Sequence, residues 1–154
     1  AVVAAHKPVE LLRAEFGILT VLLDHTEWLS DFLAEDYDRL LNSEELSNFL
    51  HDASSQLAQA DRLEPARLLE SIQHPGFRQT VERALFERAY DDERARQWFD
   101  DCVRALKRDW ADRTLLRILR DLEDTDFEAQ REEYEVLIEQ QKQVIQFKQS
   151  LQTP

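Results

Sequence analysis

The side chains that could bind a metal ion are few and widely spaced. Four histidines occur, and no two of them share a helix face at coordinating spacing: His6, His25, His51 and His74. A di-iron bundle would need Glu-x-x-His twice, and no histidine here has a glutamate three residues before it. Tetrahedral zinc would need more cysteine and histidine ligands than the chain supplies. The sequence therefore predicts no metal site and no cofactor.

Nucleophilic catalysis also lacks its usual residues. No G-x-S-x-G motif occurs, and Gly17 and Gly76, the two glycines, are too far apart to form a phosphate-binding loop. Cys102 follows Phe99 on an apolar helical stripe, which is typical of a core residue. Glu15, flanked by apolar residues, is expected to be a partly exposed salt-bridge residue. The chain is therefore predicted to have no catalytic constellation of its own.

The charge balance disfavours anionic partners. The chain has 19 Lys and Arg against 32 Asp and Glu, a formal net charge of −13. Such a chain would mostly repel phosphate, so neither direct nucleic-acid binding nor binding to an anionic membrane is expected. A single cysteine excludes an intrachain disulfide and fits a reducing compartment. No apolar run approaches the roughly 20 residues of a membrane span, so a cytoplasmic location is predicted.

The breaker residues predict an all-α fold. Between Gly76 and Pro154 neither glycine nor proline occurs, which strongly favours helices. We expect a compact bundle of short helices over residues 1–108, followed by a C-terminal helical hairpin over residues 109–154. The start, Ala1 to Ala5, is apolar but short and has no preceding basic region, so it does not resemble a signal peptide. Because the first residue is not Met, the chain is expected to be a piece of a longer protein.

Individual helix boundaries follow from local signals. Pro8 is expected to begin the first helix, and Gly17 within it predicts the close approach of another helix. Further starts are predicted at four places: Asp24 to Glu27, Asn42 to Glu45, Pro65, and the breaker His74-Pro75-Gly76. Polar residues 56–64 are expected to form a loop. An apolar pattern from Asp91 to Glu123 would make a helix of about 50 Å, so a bend is expected near Asp109 to Arg113.

The last helix is predicted to begin at the capping-box sequence Thr125 to Glu128 and to run for about 26 residues. Its first half is acidic, whereas the preceding helix is basic, so opposite charges could face each other across the hairpin; two independently solvated faces are the alternative. Apolar residues between Val144 and Leu151 spread over more than one face, which suggests recognition of another helical protein. Fraying or packing against a neighbour is the alternative.

Three stretches resemble a known family. They are Leu11 to Glu15 continuing through Leu22 to Leu29, Asn42 to Leu46, and Leu115 to Leu151 with Leu137-Ile138-Glu139 and Val144 to Leu151. Together they are similar to the C-terminal, helicase-binding domain of bacterial DNA primase, although Thr26 stands where proline is common. The resemblance covers nearly the whole chain. It implies a helical bundle followed by a hairpin that docks on the N-terminal domain of the replicative helicase.

The resulting hypothesis is a non-catalytic adaptor that binds and stimulates the replicative DNA helicase during primer synthesis in the primosome. Its parent protein would be a DNA primase, and the isolated domain is expected to be monomeric. The residues predicted to bind the partner are Leu119, Tyr134, Gln141, Val144, Ile145, Phe147, Lys148 and Leu151. Lys148 is expected to meet an acidic surface of the partner. Phe147→Asp is expected to abolish binding while leaving melting nearly unchanged.

Two alternatives remain open at this point. The chain could be the N-terminal oligomerisation domain of the replicative helicase itself, which self-association in sedimentation would reveal. It could also be an unrelated helical regulatory adaptor or nucleic-acid-sensing domain, which steep salt dependence of DNA binding would favour.

Overall fold

The computed structural model describes residues 7–87 and 91–152, and its described part contains helices and no strand, which confirms the all-α prediction. The helices are α1 Arg13–Asp24, α2 Glu27–Ala34, a 3-10 helix Tyr37–Leu40, α3 Glu44–Ala60, α4 Pro65–Ser71, α5 Pro75–Phe86, α6 Asp92–Asp124 and α7 Arg131–Ser150. The chain divides into two compact units, the first ending at Val103 and the second beginning at Arg104. The division falls within α6, five residues before the boundary expected after residue 108.

The first unit is a bundle around a core of aliphatic and aromatic side chains. Phe32 meets Phe99 edge-on at 6.2 Å between ring centroids, and Phe49 meets Phe77 in the same way at 5.7 Å. Edge-to-face pairs of this kind add to the free energy gained by burying the rings. The fully buried apolar side chains of this core include Ile18, Leu19, Leu22, Leu29, Leu46, Leu50, Leu68 and Val81.

The first helix begins later than predicted. Residues 7–12 are not helical, and α1 starts at Arg13 instead of near Pro8. The backbone of Val9 is held by α5 instead: its N–H donates to the Gly76 carbonyl at 3.1 Å, and its carbonyl accepts from Thr80 Oγ1 at 2.7 Å. These bonds to a distant element satisfy the backbone that a longer helix would otherwise have satisfied.

Glu15 is a buried carboxylate, so the expectation of a partly exposed salt-bridge residue was wrong. Its side chain accepts backbone N–H bonds from Leu12 at 3.0 Å and from Asn42 and Ser43 at 2.9 Å each. The bond from Leu12 satisfies an amide at the start of α1, whereas the other two bonds lie just before α3. One carboxylate therefore fixes the beginnings of two helices relative to each other.

Three predicted helix starts are confirmed. Ser43 Oγ accepts from the Leu46 N–H at 3.1 Å at the start of α3, and Pro65 is the first residue of α4. His74 caps α5, because its Nδ1 accepts from the Phe77 N–H at 3.1 Å. Each of these signals acts within four residues of the helix end, so the sequence alone could reveal it.

One further helix start is confirmed, and one loop prediction was wrong. The helix α2 begins at Glu27, within the predicted segment Asp24 to Glu27, although the Thr26 side chain makes no capping hydrogen bond. Residues 56–64 do not form one loop, because α3 continues to Ala60. The next residue, Asp61, caps the helix with a left-handed φ of 59°. Aspartate adopts this conformation more readily than most residues, so it ends the helix without glycine.

The helix α6 continues through residues 109–113, where a bend was expected, and it has 33 residues. Asp109 and Arg113 form an ion pair of 2.7 Å at i, i+4 spacing in the segment where the bend was expected. This long helix contributes side chains to both cores. Its first part contributes Ala95 and Phe99 to the core of the first unit. Its last part contributes Ile118 to the core of the second unit.

The last helix is shorter than predicted. It begins at Arg131 and has 20 residues, so the predicted start at Thr125 was wrong. Thr125 Oγ1 donates to the Asp121 carbonyl at 2.6 Å and so belongs to the end of α6. Asp126 Oδ1 accepts from the Glu128 N–H at 2.9 Å, forming a side-chain turn. Threonine and aspartate side chains form hydrogen bonds with the backbone in turns as readily as at helix starts. Here Thr125 and Asp126 stabilise the turn between α6 and α7.

Gly17 lies against α6, which confirms the predicted close approach. A Cβ atom at this position would lie 2.6 Å from Cys102 Sγ and 2.9 Å from Trp98 Nε1. Both separations are shorter than van der Waals contact, so neither neighbour leaves room for a methyl group. Glycine is therefore required by packing, because its backbone conformation is ordinary helix.

Gly17→Ala is expected to lower the free energy of unfolding by up to about 2 kcal/mol. Separating α1 from α6 to admit the methyl group costs about 1–3 kcal/mol, and the roughly 1 kcal/mol by which alanine is the better helix former offsets part of that cost. Urea unfolding followed by circular dichroism measures the change. Asn48→Ala, at an exposed helical position in α3, serves as the control and should be nearly neutral. A stabilised Gly17→Ala variant would contradict the packing argument.

Candidate protein-binding surface

The second unit is an antiparallel hairpin formed by the end of α6 and α7. Trp110 and Phe147 meet edge-on, with ring centroids 5.6 Å apart and an interplanar angle of 89°. Lys148 Nζ lies 2.6 Å from Asp112 Oδ1, which sets the same register. Between the helices lies a small core of Ala111, Ile118 and Val144, against which pack the half-buried Trp110, Leu115, Leu122, Leu137 and Phe147.

Two of the predicted partner-binding residues belong to that core. Val144 is only 8% exposed, and Phe147 packs on it together with Trp110. Phe147 therefore has a structural role in the hairpin. Contrary to the earlier expectation, we therefore expect Phe147→Asp to lower the melting temperature, because it would place a carboxylate beside the buried residues of this small core.

The remaining predicted residues are mostly brought together on one side of the hairpin. On α6, Asp112, Leu116 and Leu119 are spaced i, i+4, i+7 and so lie on one stripe. On α7, a stripe at intervals of three and four residues runs backwards from Lys148 through Ile145, Gln141, Ile138 and Tyr134. The Asp112–Lys148 ion pair joins the two stripes. We call the surface formed by Leu116, Leu119, Tyr134, Ile138, Gln141 and Ile145 the Leu119 flank.

The Leu119 flank exposes large apolar side chains. Leu116 is 55% exposed, Leu119 47% and Ile145 40%, while Tyr134, Ile138 and Gln141 are half-buried. Phe127, also exposed, contacts Tyr134 edge-on at 5.2 Å and extends the apolar surface toward the turn. Single exposed leucines are ordinary, but several on one face of a small unit form a patch of the kind found at protein interfaces.

An ion pair joins the two helices outside the segment for which a charge pattern was predicted. Lys148 with Asp112 places the cation near the end of α7 and the anion on α6, whereas the prediction concerned the acidic first half of α7. Arg113 pairs with Asp109, within its own helix. Lys148 is therefore already engaged inside the hairpin before any partner arrives, although an exposed pair contributes only about 0–1 kcal/mol. Leu151, half-buried, follows the last residue of α7.

Three exposed apolar residues of the second unit were missed by the sequence reasoning: Leu116, Phe127 and Val136. Leu116 had a usable signal, since it lies three residues before the predicted Leu119. Phe127 was assigned to the first turn of a helix that in fact begins at Arg131. Val136 lies next to the core residue Leu137 in sequence, and only the position of α6 shows that it faces away from the core.

The residues that could do chemistry are dispersed or engaged in the first unit. Burial raises the pKa of the Cys102 thiol to about 11, with Asp101 adding to the effect, so the thiolate is scarce at neutral pH. His25 stacks on Trp28 at 4.2 Å, with Nε2 located 3.1 Å from Asp24 Oδ2 but not aligned for a hydrogen bond. Within residues 7–87 and 91–152, no three histidine, cysteine or carboxylate side chains cluster as metal ligands.

Comparison with known proteins identified no relative. No family model, curated protein or solved structure matches the chain. Among the helices of the described residues, none has the length and apolarity needed to cross a membrane.

Proposed function

We propose that this chain is a non-catalytic protein-interaction domain that binds and stimulates the replicative DNA helicase as part of a bacterial DNA primase. The single observation on which the proposal depends is the Leu119 flank, an exposed apolar surface formed by two packed helices. The similarity of Leu11 to Leu29, Asn42 to Leu46 and Leu115 to Leu151 to primase helicase-binding domains supplies the class of partner. A cytoplasmic location belongs to the same proposal.

The shape of the Leu119 flank favours a helical partner. Leu116, Leu119 and Ile145 project from two antiparallel helices, and such a surface accepts the side chains of a third helix between its rows. Complete burial of one leucine or isoleucine side chain is worth about 1.5–3 kcal/mol relative to exposure. Three such residues, already half-exposed, can therefore contribute a substantial part of a micromolar affinity, which corresponds to about 8 kcal/mol.

Charge makes a protein a better partner than a nucleic acid. The net charge of −13 repels phosphate over the whole chain. The Leu119 flank itself is edged by the Asp112–Lys148 pair and by the Arg131–Glu135 pair of 3.2 Å, so neither sign dominates beside it. A mixed-charge rim around an apolar centre is the usual composition of a protein–protein interface.

Leu119→Asp combined with Ile145→Asp tests this proposal. The partner is the N-terminal domain of the replicative helicase from the same organism, and isothermal titration calorimetry measures the dissociation constant. The double variant is expected to bind at least about a hundredfold more weakly, because two anchors are lost and two charges would be desolvated. Gln143→Asp, exposed elsewhere on α7, is the matched control and should bind as the wild type does.

Two outcomes would contradict the proposal. One is an unchanged dissociation constant for a double variant whose circular dichroism and melting match the wild type. The other is the failure of the wild-type chain to bind the helicase domain at all. Sedimentation of the wild-type chain alone tests the alternative that the chain is the oligomerisation domain of the helicase itself. The proposed domain is a monomer, whereas an oligomerisation domain would self-associate.

A further inference from the structure

The opposite side of the hairpin, near its turn, contains a groove of about 570 Å³. Four carboxylates line it, together with the exposed Val136 and the half-buried Leu137. The lining residues are Asp121, Asp124, Thr125, Glu132, Glu133, Val136 and Leu137. We call this cavity the acidic groove. We propose that it binds a basic amphipathic helix of a partner protein, which inserts one apolar side chain against Val136 and places lysine or arginine on either side.

The acidic groove is separate from the Leu119 flank. Val136 precedes Ile145 by nine residues, which is about two and a half helical turns, so the two side chains leave α7 on opposite sides. On α6, Asp124 follows Leu119 by five residues, a rotation of about 140°. The groove therefore does not depend on the function proposed for the Leu119 flank, and the two surfaces can be tested independently.

The four carboxylates of the acidic groove make no ion pair within residues 7–87 and 91–152. They are Asp121, Asp124, Glu132 and Glu133, of which Glu133 Oε2 accepts from Gln130 Nε2 at 2.8 Å. A cleft lined by one sign of charge concentrates the field and attracts ligands of the opposite sign. The charge that such a ligand must supply is positive.

The two helix ends at the groove differ in how strongly their carboxylates favour a bound cation. Glu132 and Glu133 lie in the first turn of α7, where the helix dipole already stabilises an anion. Asp124 is the last residue of α6, where the dipole is unfavourable to an anion. Asp124 therefore gains most from an external cation, and we expect it to dominate the electrostatic part of binding.

The apolar lining of the groove favours a folded basic segment over a simple cation. Val136, one of the lining residues, is 55% exposed, and a lone metal ion or polyamine would leave it in water. The volume falls within the roughly 300–1,000 Å³ typical of ligand pockets, which accommodates one apolar side chain and its flanking cations. A helix presents an anchor and its charges at i, i+3 and i+4 on a single face, and this arrangement fits the groove.

The probe for this proposal is a synthetic helical peptide of about 14 residues, or four turns, with leucines on one stripe and lysines on both sides of it. The control probe is its scrambled isomer, which has the same composition and charge but no apolar stripe. Amide chemical shifts of the full chain are followed during titration with each peptide. The helical peptide is expected to shift residues 121–137 and to bind at least about tenfold more tightly than the isomer, a difference of about 1.4 kcal/mol.

Matched variants show which residues contribute to peptide binding. Val136→Ser should weaken peptide binding about tenfold, and Asp124→Asn should weaken it and reduce its dependence on salt. Glu139→Gln removes an exposed α7 carboxylate outside the groove and should have little effect. The Leu119→Asp, Ile145→Asp variant should still bind the peptide. Equal affinity for both peptides, shifts spread over other acidic faces, or indifference to Val136→Ser and Asp124→Asn would each overturn the proposal.

Discussion

Glu15→Ala is expected to lower the free energy of unfolding by about 4 kcal/mol. The Glu15 side chain is 1% exposed and accepts backbone N–H bonds from Leu12, Asn42 and Ser43. A hydrogen bond to a charged group contributes about 1.5–3 kcal/mol, and a buried donor left unpaired adds a penalty of similar size. Relief of the cost of burying the carboxylate offsets part of this loss. Urea unfolding followed by circular dichroism measures the difference.

The conservative and exposed variants make this test specific. In Glu15→Gln, the amide oxygen can still accept from Asn42 and Ser43, but the amide nitrogen would face the Leu12 N–H, so about half of the loss is expected. Glu82→Ala removes an exposed glutamate from α5 and should change stability by less than about 0.5 kcal/mol. Losses below about 1 kcal/mol for both Glu15 variants would show that water replaces the carboxylate and that the three bonds are not structurally important.

Glu15 also illustrates what the sequence could not predict. Its flanking apolar residues were visible, but its hydrogen-bond donors Asn42 and Ser43 are 27 and 28 residues away in the chain. The same limitation explains the start of α1, because the bonds that hold Val9 come from Gly76 and Thr80. Capping at Ser43, Pro65 and His74 was predictable because the donors and acceptors are neighbours in sequence.

The fold class was predictable for a compositional reason. A chain with two glycines and four prolines cannot form the many tight turns of a sheet protein. The course of α6 was harder to predict, because a helix of this length exceeds the size of a single small core. The helix contributes to two units, with Phe99 in one core and Ile118 in the other, so it can be longer than one core would require.

The sequence predicted which residues of α7 share a stripe. It did not predict which stripe faces α6 and which faces solvent. Heptad-like spacing in α7 correctly grouped Tyr134, Gln141 and Lys148 on one stripe. Deciding which stripe faces α6 requires the register, which the Trp110–Phe147 contact and the Lys148–Asp112 pair determine. Without that register, the core residues Val144 and Phe147 could not be distinguished from surface anchors.

Phe147→Ala is therefore expected to destabilise the hairpin by about 3 kcal/mol, the lower end of the range for removing a large core side chain, because Phe147 is half-buried. The substitution removes the edge-on contact with Trp110 and opens one end of the packing around Val144. A core this small supplies only about 3–5 kcal/mol, so the loss is comparable to the whole stability of the unit. Hydrogen exchange of α7 amides, measured by mass spectrometry, should become much faster.

The neighbouring Ile145→Ala variant is the control, since Ile145 is exposed on the Leu119 flank and contributes little to the core. Its α7 amides should exchange nearly as slowly as those of the wild type, because surface substitutions usually change stability by less than about 0.5 kcal/mol. The two variants together separate folding from binding: Phe147→Ala should reduce protection and partner binding together, whereas Ile145→Ala should reduce binding alone. Equal protection of α7 in both variants would contradict the role assigned to Phe147 in holding the hairpin closed.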